Sequence, residues 1–130
     1  MVRDALSTLA LTGEVIIALR QARRLVVRRP HAIKPMMTSQ PNAVRPNDEV
    51  VVRRVARVVG HASRVVSGST CLVRAVAAYL VLARRGVYAT VCLGHDSDGE
   101  APFFAHAWLE IAGRAVVGEP SAVRFHSPSP

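Results

Sequence analysis

Ser67-Gly68-Ser69-Thr70-Cys71-Leu72-Val73-Arg74-Ala75 is the stretch on which the reading of this chain turns. Its first four residues are small and polar and end whatever helix precedes them. From Cys71 onward, Leu72, Ala75, Val76, Tyr79, Leu80 and Ala83 recur at helical spacing on one buried side as far as Arg85, and Gly86 suits the position just past a helix end. Cys71 therefore stands at a helix start, where backbone N–H groups lack intrahelical partners and the helix dipole favours negative charge. Well downstream, Phe103-Phe104-Ala105-His106-Ala107-Trp108-Leu109-Glu110 reads as a strand carrying a histidine. A thiol at a helix start and an imidazole delivered by a sheet are the two parts nucleophilic catalysis requires.

Working outward on the N-terminal side, Asn47 or Asp48 caps a helix expected over residues 48–66. Val51, Val55, Val58, Ala62 and Val65 form its apolar seam, with Arg53, Arg57 and Arg64 opposite. Residues 2–11 and 14–29 carry two further helical patterns, the second stopped by Pro30. Residues 31–47, with Pro35, Pro41 and Pro46, read as an extended loop or linker. Residues 1–47 thus form a helical N-terminal extension with a Pro-containing linker, and residues 48–130 the core.

After Gly86 the period changes from helix to strand. Strands are expected over 87–93, 103–111 and 114–117, with a loop over 94–100, a tight turn at Ala112-Gly113 and a frayed tail from Phe125. Asp96 and Asp98 read as turn formers in that loop. Along the second strand, Phe104, His106, Trp108 and Glu110 share one face. Helices followed by an antiparallel meander predict an α+β domain, N-terminal helices plus a nucleophile-bearing helix packed on a small antiparallel sheet.

At 130 residues, half of them apolar, the chain can bury one core and is not disordered by composition. The longest apolar stretch, residues 5–19, is broken by Ser7, Thr8, Thr12, Gly13 and Glu14 and falls short of a membrane span. No signal-type cleavage pattern follows it, so the expected location is cytoplasmic. The charge of +8 comes from arginine with one lysine, Lys34. These arginines are spread over several segments with few aromatics among them, and read as solvated helix faces rather than a nucleic-acid site. With two cysteines, Cys71 and Cys92, one disulfide is conceivable, but a cytosolic chain of this size has little need of it; Cys92, inside a strand-like run, reads as a core or sheet thiol.

A third group should orient the imidazole; Glu119 is the only carboxylate on the stretch after the Ala112-Gly113 turn, and it reads equally as a surface residue at a strand end. A zinc site from Cys71, Cys92, His95 and His106 is the competing constellation, but no paired Cys-x-x-Cys supports it. His31, His61 and His126 have no partner pattern. No phosphate-binding, dinucleotide-binding or nucleophile-elbow motif appears, and no cofactor or metal is expected.

Cys71-Leu72-Val73-Arg74-Ala75, then Leu82-Ala83-Arg84-Arg85-Gly86 leading into a strand, then Ala105-His106-Ala107-Trp108-Leu109-Glu110 with Gly113 after it, resemble the leader peptidase of lasso peptide biosynthesis. The resemblance covers roughly residues 50–127. It implies a transglutaminase/papain-like fold with a Cys-His-Asp site that removes the leader from a ribosomally made precursor peptide. Cys71 would be the nucleophile, His106 its acid–base partner and Glu119 the orienting group, although that family commonly has Asp there. It also implies two partners: a separate leader-recognition protein, because no β-rich recognition module is legible in residues 1–47, and an ATP-dependent macrolactam cyclase. The alternatives are a transglutaminase-like acyltransferase or amidase and a non-catalytic basic binding module.

Overall fold

Apolar residues at positions 11, 15, 18, 19 and 22 draw one stripe along a helix, and the computed structural model folds them so. It describes residues 2–38, 46–96, 105–117 and 125–126. Helix α1 spans Val2–Arg28 and buries Leu11, Val15, Ala18, Leu19 and Ala22. The two N-terminal helices expected from the sequence are therefore one. Thr12 and Gly13 do not break it: the Thr12 hydroxyl bonds back to the Thr8 carbonyl at 2.7 Å, and Gly13 sits on an open face.

Pro30 then opens a 3-10 helix, Pro30–Met37, whose Ile33 is buried in the core. The linker expected over residues 31–47 is thus structured in its first part, because Ile33 gives that segment apolar area to bury; residues 39–45 lie outside the described set. Helix α2, Pro46–Ala62, carries Asp48 and Glu49 in its first turn, favourably placed for the helix dipole. It buries Val52, Val55, Val58, Val59 and Ala62, while Arg53 and Arg57 face solvent. The helix stops four residues before the expected end, and Val65, expected in the seam, is 79% exposed on the following turns.

Helix α3, Cys71–Arg84, begins where the sequence placed it. Its buried set is wider and rotated: Val73, Ala75, Val76, Ala77, Ala78, Val81 and Leu82 are buried, while Leu72, Tyr79, Leu80 and Ala83 are only half-buried. The reason is its central place in one cluster, with α1 and α2 on one side and the sheet on the other. Alanines at 75, 77 and 78 let those neighbours approach closely, and each larger side chain buried there contributes about 1.5–3 kcal/mol. Gly86, at φ 75, ends the helix in the left-handed conformation.

The sheet has strands β1 (Thr90–Asp96), β2 (Ala105–Ile111), β3 (Arg114–Val117) and a two-residue β4 (Phe125–His126), in the order β3-β2-β1-β4 and antiparallel throughout. The first strand begins three residues later than expected and takes Gly94, His95 and Asp96 from the expected loop, because they pair with β2 and β4. Ala112 and Gly113 both have positive φ, 51 and 80, the turn that matches strand twist in a two-residue hairpin. Helices packed on a small antiparallel sheet make this the α+β architecture expected.

Candidate active site

Thr70 has extended backbone, and its hydroxyl accepts the Val73 N–H at 3.3 Å, while its carbonyl accepts the Arg74 N–H at 2.9 Å. Thr70 is the N-cap, which puts Cys71 at the first helical position with the helix's positive end behind it. The turn before it is braced from outside. Gly68 has φ 79, and a Cβ there would meet the Arg23 guanidinium at 2.7 Å, so the glycine lets Arg23 of α1 lie flat against the loop. Ser69 closes the turn through its hydroxyl to the Val66 carbonyl at 2.8 Å.

The half-buried Cys71 thiol reaches the sheet. Its Sγ accepts the backbone N–H of Ala107 at 3.4 Å. Pairing of β2 with β3 ends, among the described residues, at Leu109 opposite Val117, so Ala107 gives its N–H to sulfur rather than to a β3 carbonyl. The donor belongs to the peptide that links Ala107 to His106. Cys71 and Ala107 are 36 apart in sequence, and their contact sets the expected nucleophile against the backbone of the strand that carries the expected imidazole.

Register divides the strand faces as alternation predicts. Ala107 and Leu109 lie opposite Leu93 and Val91 on one face, whose Leu109 and Val91 belong to the core cluster shared with the helices. His106, Trp108 and Glu110 lie opposite Gly94, Cys92 and Thr90 on the other. Gly94 has no side chain, so none stands directly across the ladder from His106. Trp108 is 4% exposed, and its indole N–H donates to Glu110 Oε2 at 2.6 Å. That bond holds the Glu110 carboxylate beside the indole. Four residues along an extended strand is about 13 Å, so Glu110 does not serve as the group that orients His106.

Both cysteines are free thiols. Cys92, buried beside Trp108 as a sheet thiol, is pushed up to about 12, first by burial and then by the hydrogen bond and charge of Glu110. At neutral pH it is an inert neutral thiol. Among the described residues no three His, Cys, Asp or Glu side chains converge as a metal site would need. The side chain of His95, one of the ligands weighed for zinc, is outside the described set, as are Glu119 and His126. His31 and His61 are exposed.

Arg74 is a site neighbour that reading the sequence passed over. It lies three residues after Cys71, one helical turn on, and its Nε is buried with no hydrogen-bond partner. A cation in the first turn of a helix opposes the dipole, and that misplacement was legible in Cys71-Leu72-Val73-Arg74. The bracing by Arg23 was not legible, since nothing in α1 marks which residue will meet residue 68.

The model of the transglutaminase-like superfamily matches residues 15–128, and the chain belongs to that family. Comparison with curated proteins and with solved structures found no significant match. The matched region begins inside α1, consistent with a helix that is part of the core cluster. No described helix is long and apolar enough to cross a membrane.

Proposed function

We propose that this protein is a cysteine peptidase that removes the leader from a lasso-type precursor peptide. The observation that carries the reading is the seating of Cys71 Sγ at the N-terminus of α3 against the peptide that joins His106 to Ala107. Membership of the transglutaminase-like superfamily supports cysteine-based acyl chemistry, and the Cys-Leu-Val-Arg-Ala and His-Ala-Trp segments support the narrower peptidase assignment.

In this reading Cys71 passes its thiol proton to His106 and attacks the carbonyl carbon at the leader–core junction, and the S–C bond forms as the carbonyl π pair moves to oxygen. The first-turn N–H groups of α3 that the Thr70 cap does not take face the developing charge. Collapse breaks the C–N bond, and His106 gives its proton to the departing amine, the new N-terminus of the core peptide. Water then attacks the thioester with His106 as base, releasing the leader carboxylate and restoring the thiol. Glu119 serves as the orienting group for His106. A separate leader-recognition protein presents the precursor, and an ATP-dependent cyclase consumes the freed amine.

The test is mass spectrometry of a precursor peptide incubated with the protein and its recognition partner. Hydrolysis gives two fragments whose masses together exceed the precursor by one water, and Cys71→Ala gives none. Cleavage retained in Cys71→Ala ends the reading. A product in which an added amine replaces the leaving group turns it to acyl transfer by the same thioester.

A further inference from the structure

Arg20, Arg24 and Arg28 recur every fourth residue along the C-terminal half of α1 and are exposed. With Arg23, Val27, Val65, Val66 and Ser67 they line a groove of about 610 Å³. Among the described residues no carboxylate pairs with Arg20, Arg24 or Arg28, whereas Glu14 pairs with Arg84 and Arg85, and Glu49 with Arg114. Like charges four apart on a helix repel, so the ridge is destabilising in the free protein and is relieved by an acidic occupant. The groove is not only basic. Val27 and Val65 are 71% and 79% exposed within it, the largest exposures of large apolar side chains among the described residues. No aromatic side chain lines it, so it lacks a stacking platform for bases.

Part of its lining belongs to the turn that precedes the thiol. Val66 and Ser67 open the turn that ends at Cys71, and Arg23 lies against that turn at Gly68, with its Nη1 3.5 Å from the Ser67 carbonyl. The groove and the turn that positions the nucleophile thus share Arg23, Val66 and Ser67.

We infer that the Arg20–Arg24–Arg28 groove binds an acidic segment of the peptide substrate, with carboxylates on the arginine ridge and an aliphatic side chain over Val27 and Val65. The inference rests on the peptidase reading for the identity of the occupant as substrate, and binding can be measured without cleavage.

The experiment uses the full chain carrying Cys71→Ala and a fluorescein-labelled peptide of alternating Glu and Leu, followed by fluorescence anisotropy. The expected result is saturable binding that weakens at least about tenfold in Arg20→Glu/Arg24→Glu/Arg28→Glu and is retained in the corresponding triple Lys variant. A Glu/Ser peptide of equal charge should bind more weakly, by the lost contact with the two valines. Equal binding by the unmodified ridge and a folded triple Glu variant, with folding checked by circular dichroism, overturns the inference. So does tighter, equally ridge-dependent binding of a single-stranded oligothymidylate, which would make the groove a nucleic-acid site. Binding of the acidic peptide with no cleavage of the precursor by the unmutated protein and its recognition partner leaves the groove standing and removes the peptidase reading. Cleavage indifferent to the ridge does the reverse.

Discussion

Cys71 Sγ and the Ala107 backbone nitrogen lie 3.4 Å apart, and this contact ties the start of α3 to the interior of the sheet. It depends on helix α3 starting where it does. Thr70 sets that start by capping the Val73 N–H. Thr70→Ala should lower stability by about 1 kcal/mol, with Thr70→Ser recovering most of it. Urea unfolding of the three proteins measures this, and an unchanged midpoint in Thr70→Ala would mean the cap contributes nothing.

The two thiols should behave differently toward iodoacetamide. Cys92, pushed up to about 12, holds roughly one thiolate in a thousand at pH ~9, whereas Cys71 is half-buried and reachable. Labelling followed by peptide mass mapping should find Cys71 modified and Cys92 spared from about pH 7 to about pH 9. The same shift makes stability pH-dependent. Because the folded value is raised, the contribution is complete below the unfolded thiol's ordinary value and is lost as pH rises toward about 12. The stability advantage over Cys92→Ala should shrink by about 1 kcal/mol between pH ~8.5 and ~10.

Glu14 of α1 receives both Nη1 and Nη2 of Arg85, at 2.9 and 2.8 Å, with Arg84 at 3.8 Å. The Arg85 hydrogen bond, partly opposed by burial, holds the Glu14 carboxyl below its usual range. Solvent around the guanidinium limits the pair to about 1 kcal/mol, which Glu14→Gln should lose at neutral pH. A lowered carboxylate contributes above its ordinary pKa and stops doing so as pH falls through the folded value. The gap between the two proteins should therefore close progressively as pH falls below the ordinary Glu range. A gap that persists in acid would assign the effect to packing.

Gly68 and Gly86 share a positive φ but not their surroundings. At Gly86 an added Cβ meets nothing within 4 Å, whereas at Gly68 it meets the Arg23 guanidinium at 2.7 Å. Gly86→Ala should cost about 1 kcal/mol of backbone strain, and Gly68→Ala that amount plus the displacement of Arg23. Adding Arg23→Ala to Gly68→Ala should recover the second part only, and a double-mutant cycle of thermal unfolding separates the two.

Loss of Glu119 should be milder than loss of either reacting group. If Glu119 orients His106, Glu119→Ala should reduce precursor cleavage roughly a hundredfold less than Cys71→Ala or His106→Ala. Equal losses with folding intact would make the carboxylate as necessary as the thiol.

Local pattern determined much of this protein. The start of α3 at Cys71, its end before Gly86, the hairpin at Ala112-Gly113 and the alternation that sets His106 beside Trp108 follow from capping, period and turn chemistry over a few residues, all legible in order along the chain. What the sequence left open depends on contacts between distant segments. Continuity of α1 through Thr12 and Gly13, the burial of Ile33 in a proline-rich stretch, and the extension of β1 through Asp96 are each decided by a packed neighbour. The tertiary structure alone placed Cys71 against the Ala107 N–H, laid Arg23 on Gly68 and left Arg20, Arg24 and Arg28 in one groove with Val27 and Val65. The physical reason is that residue type and spacing set local backbone conformation, whereas which surfaces meet is set by burying apolar area across the whole chain.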